Sequence, residues 1–288
     1  MTKSAAMIAS APDEFSSRSP LTINQSGKPP ALDLREIWAY RDLFYFLTWR
    51  DIKVRYKQAA MGATWAILQP LGMMLIFAVF FGIFIGVPTD GIPFTLFYYS
   101  GLVPWMFFSG AVSVGSVSLL NSSNLVTKVY FPRVIIPAAA VGALFLDLLI
   151  TCVILIGLAL FLGLIWSWNL LIFPVAILLT ILLAVDLSIW LSALTVKYRD
   201  IRHALPFALQ LWLFLTPIVY PLSVVPQKWR WVMYLNPLTG IVEAVRSSLT
   251  GRELNSRALI FSAVIAILSF QMAVRTFKRI EKTFADLI

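Results

Sequence analysis

Charged side chains are scarce in this sequence of 288 residues. They make up 13% of it, whereas a soluble domain averages about 25%. Residues 58–89, 91–127 and 148–185 contain no charge at all, and about 20 helical residues are enough to cross the hydrocarbon core of a bilayer. The scarcity of charge therefore excludes an ordinary soluble fold and predicts a membrane protein.

Residues that could bind a metal or catalyse a reaction are also few. The sequence has one histidine, His203, and one cysteine, Cys152, so we expect neither a metal site nor an internal disulfide. It contains no G-x-x-x-x-G-K-[ST] loop that could hold nucleotide phosphates. Serine and threonine are plentiful, but no histidine is placed to activate them. We therefore predict a chain that is not an enzyme and binds no cofactor itself.

The apolar blocks predict an all-α membrane fold, because backbone polar groups in lipid must be hydrogen-bonded within their own segment. Six transmembrane helices fit, at about residues 61–86, 95–119, 134–164, 170–196, 204–221 and 257–275. Residues 222–256 are too polar to span the membrane and are interpreted as re-entrant helices on its outer face. Residues 1–30, rich in Ser, Pro, Ala and Lys, predict a disordered cytoplasmic tail.

An amphipathic helix at the membrane interface is predicted for residues 31–58. One stripe of this helix is apolar and aromatic: Leu34, Trp38, Tyr45, Trp49, Ile52 and Tyr56. The opposite side carries Arg50, Lys53 and Lys57, which suit anionic headgroups or an acidic partner surface. The periodicity alone fits a membrane anchor without a partner equally well.

The distribution of Lys and Arg predicts the orientation. With the N-terminus in the cytoplasm, the cytoplasmic segments hold nine, two, three and four of these residues, which leaves five of the 23 outside. Because basic loops stay on the cytoplasmic side, we place both termini in the cytoplasm. The net charge of +9 then has an explanation that needs no nucleic-acid partner.

Two carboxylates, Asp147 and Asp186, lie inside predicted crossings and at similar depth if those crossings form an antiparallel hairpin. They could form a proton relay or cation site, as in a secondary transporter. Alternatively, hydroxyl groups or water could hold them, or desolvation could keep them protonated. No Lys or Arg within the crossings is available as a partner, which favours the second interpretation.

Aromatic residues make up 14% of the sequence and cluster near predicted outer ends of crossings. Such clusters are typical of an interfacial belt, but they could also form a stacking surface for sugar rings. The residues that would then line a channel are Tyr98, Tyr99, Trp105, Phe107, Phe108, Trp212 and Tyr220.

Four groups of residues occur in an order and spacing that resemble a known family. They are Trp49-Arg50-Asp51-Ile52-Lys53-Val54-Arg55-Tyr56-Lys57-Gln58 with Gly62, Trp65, Leu68, Gln69 and Pro70; Tyr130-Phe131-Pro132-Arg133 with Pro137; Val196-Lys197-Tyr198-Arg199-Asp200; and Pro217, Pro221, Asn236-Pro237 and Arg246. Together they resemble the transmembrane subunits of type-2 ABC exporters, in the branch that exports polysaccharides such as O antigen or wall teichoic acid. One departure is Thr195, where the family often has Asn.

The resemblance implies a homodimer in the bacterial inner membrane, with residues 59–283 as the type-2 ABC transmembrane domain. Two separate ABC nucleotide-binding subunits would bind ATP and magnesium and dock on the cytoplasmic side. The residues expected to couple to them are Asn124, Lys128, Tyr130, Arg133, Arg199 and Asp200. Charge reversal at Arg133 is expected to weaken this docking without unfolding the protein.

The resemblance also implies a substrate, a polyprenyl-diphosphate-linked glycan that enters from the cytoplasm. Arg50, Arg55 and Lys57, at the cytoplasmic rim, could attract its diphosphate, although the positive-inside rule alone would also explain them. The alternatives are an exporter of teichoic acid, of drugs or of lipids, and a proton-coupled secondary transporter that uses Asp147 and Asp186.

Overall fold

The computed structural model describes residues 34–57, 64–163, 168–282 and 284, and it shows helices and no strands within those ranges. The predicted tail, residues 1–30, lies outside the described residues. The helices are α1 (Leu34–Ala39), α2 (Arg41–Lys57), α3 (Thr64–Phe77), α4 (Phe94–Asn121), α5 (Ser123–Lys128), α6 (Ile135–Gly142), α7 (Phe145–Phe161), α8 (Ile172–Lys197), α9 (Ile201–Leu215), α10 (Arg230–Tyr234), α11 (Pro237–Thr250) and α12 (Ser256–Glu281). A π-helix, Ala78–Phe84, continues α3, and short 3₁₀ turns cover Trp168–Leu171, Leu222–Val224 and Gln227–Trp229.

Five helical stretches are long and apolar enough to cross a bilayer. They are Thr64–Phe84, Phe94–Asn121, Ile135–Phe161, Trp168–Lys197 and Ser256–Glu281. Each coincides with a predicted crossing, because long blocks without charge must satisfy their backbone as helices in lipid. The prediction of an all-α membrane protein is confirmed.

The predicted crossing at 204–221 differs from the other five. Its helix, α9, has 15 residues and is therefore about 22 Å long at 1.5 Å per residue, whereas the hydrocarbon core is about 30 Å thick. The backbone becomes extended at Thr216, and Pro217 and Pro221 follow, neither of which could continue the helix without losing hydrogen bonds. The count of six crossings remains a prediction.

Two elements predicted as unbroken helices are each divided in two. The interface helix is interrupted at Tyr40, between α1 and α2, and the third crossing is interrupted between α6 and α7. At the second break α2 packs closely on α6, since a Cβ atom at Gly142 would lie only 3.2 Å from Thr48 Oγ1. The interface helix is thus seated on α6 and lies against the body of the protein.

Small residues allow the central helices to approach closely. A Cβ atom at Gly115 of α4 would overlap Ser188 of α8, and one at Gly240 of α11 would overlap the backbone of Ala258 in α12. Ser188 Oγ also donates a 3.1 Å hydrogen bond to the carbonyl of Ala111. Small residues at such crossings are typical of helix packing in membranes, where close backbone approach replaces the hydrophobic driving force.

One end of the bundle is closed by its own apolar cluster. This cluster joins the ends of α4, α5, α6, α8 and α12 through buried residues that include Leu119, Val126, Phe131, Ile135, Val196 and Phe277. The basic residues Lys128, Arg133, Lys197 and Lys278 lie on the same helix ends or in the adjacent loop. We call it the basic end, and by the charge distribution it is predicted to be cytoplasmic.

Candidate functional site

The loop after α5 presents an aromatic side chain at the basic end. The backbone is extended at Val129. Tyr130 is 88% exposed, whereas the next residue, Phe131, is only 4% exposed and belongs to the apolar cluster of the basic end. One residue therefore anchors the loop to the helix ends, and its neighbour projects outward.

The turn between α8 and α9 repeats this arrangement. Val196 is buried in the same cluster as Phe131, and Tyr198 is 53% exposed. The Lys197 ammonium lies 5.1 Å from the centre of the Tyr198 ring. We call the exposed side chains of the two loops the aromatic-basic surface: Lys128, Val129, Tyr130, Lys197, Tyr198 and Arg199. Exposed aromatic and basic side chains of this kind favour binding to another protein.

The other predicted coupling residues lie in different surroundings. Arg133 is half-buried, donates a 3.0 Å hydrogen bond to the carbonyl of Glu281 and lies 5.7 Å from the ring of Phe284. It therefore binds the C-terminal part of its own chain, a contact that the sequence did not predict. Asp200 is exposed and is the N-cap residue of α9, and Asn124 is exposed at the rim of a cavity.

This cavity of about 550 Å³ lies between α2, α4, α5 and α6, and we call it the basic cavity. Arg50 and Arg55, two of the three predicted substrate-entrance residues, line it together with Asp51, Asn121 and Asn124. The third, Lys57, is exposed at the end of α2. The structure thus places Arg50 and Arg55, predicted for the substrate entrance, on the same cavity as Asn124, predicted to couple to the ATPase.

A second cavity, of about 500 Å³, lies on the other side of Arg55, between α2, α3, α4 and α7. We call it the membrane cavity. Its lining is mainly apolar, with polar groups at Tyr56, Gln69, Asp147 and Thr151. Arg55 borders both cavities, so its side chain lies at the junction between them.

Asp147 has a basic partner after all. An Nη2 atom of Arg55 lies 2.9 Å from its carboxylate, and the hydroxyl of Tyr56 donates a hydrogen bond to the same group. The pair does not follow from the predicted crossings, because Arg55 comes from the interface helix. The pKa of Tyr56 is raised to about 12, by burial first and then by its bond to Asp147. Tyr56 therefore remains a protonated donor at neutral pH.

Asp186 is held differently. It is buried in α8 and accepts a hydrogen bond from the hydroxyl of Ser269 in α12. This is the arrangement in which a hydroxyl group holds an intramembrane carboxyl. Asp147 and Asp186 thus have different partners, and nothing in the contacts of either one requires a proton relay.

Five of the predicted channel-lining residues belong to the protein core: Tyr98, Tyr99, Trp105, Phe107 and Phe108. Tyr98, Tyr99 and Phe108 have no exposed surface, which places them out of reach of a sugar ring in this conformation. They are buried because α4, which carries them, packs against α3, α7, α8 and α11. Composition cannot distinguish an aromatic residue in a core from one that lines a channel.

The other four aromatic residues of that set are not all equally buried. Trp105 and Phe107 border the membrane cavity but are only 6% and 5% exposed. Trp212 is half-buried, and its indole N–H donates a 3.0 Å hydrogen bond to Asn236 Oδ1. Tyr220 is also half-buried and donates to the carbonyl of Phe214 at 3.2 Å. Stacking against a substrate remains a prediction for these four.

The chain after α9 is held by two polar side chains of the segment that was interpreted as re-entrant. Arg246 is 4% exposed and donates to the carbonyls of Pro217 and Ile218, at 2.6 and 2.9 Å. Asn236 donates to Thr216 Oγ1 at 2.9 Å. These bonds satisfy backbone and side-chain groups that the end of the helix leaves open, so this irregular segment is supported by protein.

Comparison with known proteins adds an independent finding. Residues 42–250 match a protein family described as ABC-2 type transporter. An O-antigen export system permease protein of Myxococcus xanthus is 28% identical over 259 residues, which cover 88% of this chain and 98% of that protein. One from Klebsiella pneumoniae is 26% identical over 251 residues, 86% of this chain and 95% of that protein. A polysialic acid transport protein of Escherichia coli is 26% identical over 212 residues, 69% of this chain and 78% of that protein.

Proposed function

Because the chain belongs to the ABC-2 type transporter family, we propose that it is the permease that moves a lipid-linked polysaccharide of the O-antigen type out of the cytoplasm. The observation that carries this proposal is the similarity to O-antigen export permeases, which extends over almost their whole length. Permeases for other cargoes share the family, so the nature of the polysaccharide rests on those relatives.

We infer that energy comes from two separate ATPase subunits, which bind ATP and magnesium and dock on the aromatic-basic surface of a homodimer. Tyr130 and Tyr198 project from this surface, and their buried neighbours Phe131 and Val196 lie in one apolar cluster. That cluster joins the ends of five helices. A push on either loop would therefore move several transmembrane helices as a rigid unit.

The substrate proposed here is a glycan linked to a polyprenyl diphosphate. A diphosphate is an anion that guanidinium groups bind in bidentate fashion. Arg50 and Arg55 offer two such groups in the basic cavity, which lies at the end of the bundle predicted to be cytoplasmic. The apolar lining of the adjoining membrane cavity suits the lipid portion.

The test is to isolate the tagged protein from its native membrane in mild detergent and to assay bound lipid and ATPase activity. We expect an ATPase to co-purify in equal amounts with the permease, together with a phosphorylated polyprenyl glycan that stimulates ATP hydrolysis after reconstitution. Stimulation by small amphiphiles and not by the glycan lipid would favour a drug or lipid exporter instead. Transport without ATP, driven by a proton gradient, would refute the proposal.

A further inference from the structure

Arg55 is the one arginine that borders both cavities among the described residues. Its side chain is 45% exposed, whereas that of Asp147, its partner, is 19% exposed. An anion in the basic cavity can therefore reach the guanidinium group from the open side while the carboxylate approaches from the protein side. Arg50, on the same cavity, is likewise held by a carboxylate, at 2.8 Å from Asp51.

Asp147 can lose Arg55 and remain stabilised. It lies in the first turn of α7, where the positive end of the helix dipole favours a negative charge. The hydroxyl of Tyr56 donates to its other oxygen, Oδ1, a bond that does not depend on the contact of Arg55 with Oδ2. A buried ion pair that is broken normally leaves one charge uncompensated at a large cost. Here the carboxylate keeps two favourable interactions, so the pair can be exchanged.

This inference rests on the proposed function and deepens it. We propose that Asp147 is a placeholder anion, which occupies Arg55 in the empty permease and yields it to the diphosphate of the lipid-linked substrate. A diphosphate carries more charge than a carboxylate and offers more oxygen atoms to the fixed N–H groups of a guanidinium. Once Arg55 turns to the substrate, α2 loses one of its two adjacent attachments to α7 and keeps only that of Tyr56.

Binding of undecaprenyl diphosphate to the purified complex in phosphatidylcholine nanodiscs tests this proposal. In Asp147→Asn the competing anion is gone, and we expect binding about tenfold tighter, the value of one charge-assisted hydrogen bond. In Arg55→Gln we expect binding at least about tenfold weaker. The double variant should match Arg55→Gln, because the carboxylate acts only through the guanidinium. Asp186→Asn, a buried carboxyl held by a serine, is the matched control and should bind as the unchanged protein does.

A second measurement does not alter the pair and remains available if Asp147→Asn fails to fold. Spin labels at Lys53→Cys on α2 and Leu149→Cys on α7, with Cys152→Ala, report the distance between the two helices. We expect undecaprenyl diphosphate to lengthen this distance. An unchanged distance distribution at saturating lipid would overturn the exchange.

The remaining outcomes separate this inference from the proposed function. Saturable binding that Asp147→Asn leaves unchanged or weakens overturns the placeholder role alone. Equal binding of inorganic pyrophosphate, or equal competition by phosphatidylglycerol, shows a site for soluble anions or for headgroups and also overturns it. If undecaprenyl diphosphate does not bind the unchanged protein, the inference and the proposed substrate fail together.

Discussion

Replacing Arg246 by glutamine should destabilise the protein more than any surface substitution. Its guanidinium donates to three backbone carbonyls, those of Pro217, Ile218 and Phe97, and lies 3.7 Å from the centre of the Phe97 ring. A buried carbonyl left without its donor costs about 1–3 kcal/mol. Glutamine is shorter and can replace one donor at most, so two carbonyls lose their partner and the cost is about 2–6 kcal/mol.

The assay is thermal unfolding of the detergent-solubilised protein, followed by the fraction that remains monodisperse on size exclusion. At about 2–4 °C for each kcal/mol in chains of 150–250 residues, Arg246→Gln should lower the midpoint by at least about 4 °C. Arg246→Lys should not restore it, since an ammonium cannot span carbonyls that the planar guanidinium reaches. Arg252→Gln, which replaces an exposed arginine just after the end of α11, is the control. A midpoint for Arg246→Gln equal to that of the control would refute the reasoning.

Three further predictions concern the basic end and the helix packing. Tyr130→Ala should reduce the yield of co-purified ATPase at an unchanged melting midpoint. Phe131→Ala should instead lower the midpoint, because the lost packing costs about 3–5 kcal/mol of folding free energy. Equal midpoints for the two variants would contradict this. Arg133→Glu should loosen the C-terminal end of α12, seen as faster limited proteolysis there, and unchanged cleavage would show that its contact to Glu281 is dispensable. Gly240→Ala should cost about 1–3 kcal/mol by overpacking, whereas Gly157→Ala, which has open space, should not destabilise.

The transmembrane helices could be predicted because their signal is local. The block 148–185 holds no charge, and lipid leaves those parts of it that cross the membrane no alternative to helices. The end of α9 was less predictable: the apolar composition runs on to Tyr220, and the break at Thr216 depends on Pro217 and on distant partners that hold the released groups. Pro217 and Arg246 both stood out in the sequence, but nothing in it showed that the arginine donates to the carbonyls of Pro217 and Ile218.

The contacts of the candidate site were mostly out of reach of sequence reasoning. Arg55 and Asp147 are 92 positions apart, and their pairing follows from the packing of α2 on α6, the helix that precedes α7. The sequence also could not show that Tyr130 is exposed and Phe131 buried, because both residues are aromatic and adjacent. Only the tertiary structure distinguishes them. By contrast, Arg50, Arg55 and Asn124 were each singled out from the sequence, and the structure places all three on one cavity.

The shortness of α9 has a consequence for the surrounding bilayer. Of its residues only Leu209 is buried within the chain, so most of its surface is free to contact lipid or a second copy of the protein. Where lipid meets it, a 15-residue helix falls about 8 Å short of the hydrocarbon thickness, and such hydrophobic mismatch is relieved by local thinning of the membrane. Beside α9, a polar headgroup then has less hydrocarbon to traverse than beside the 28 residues of α4.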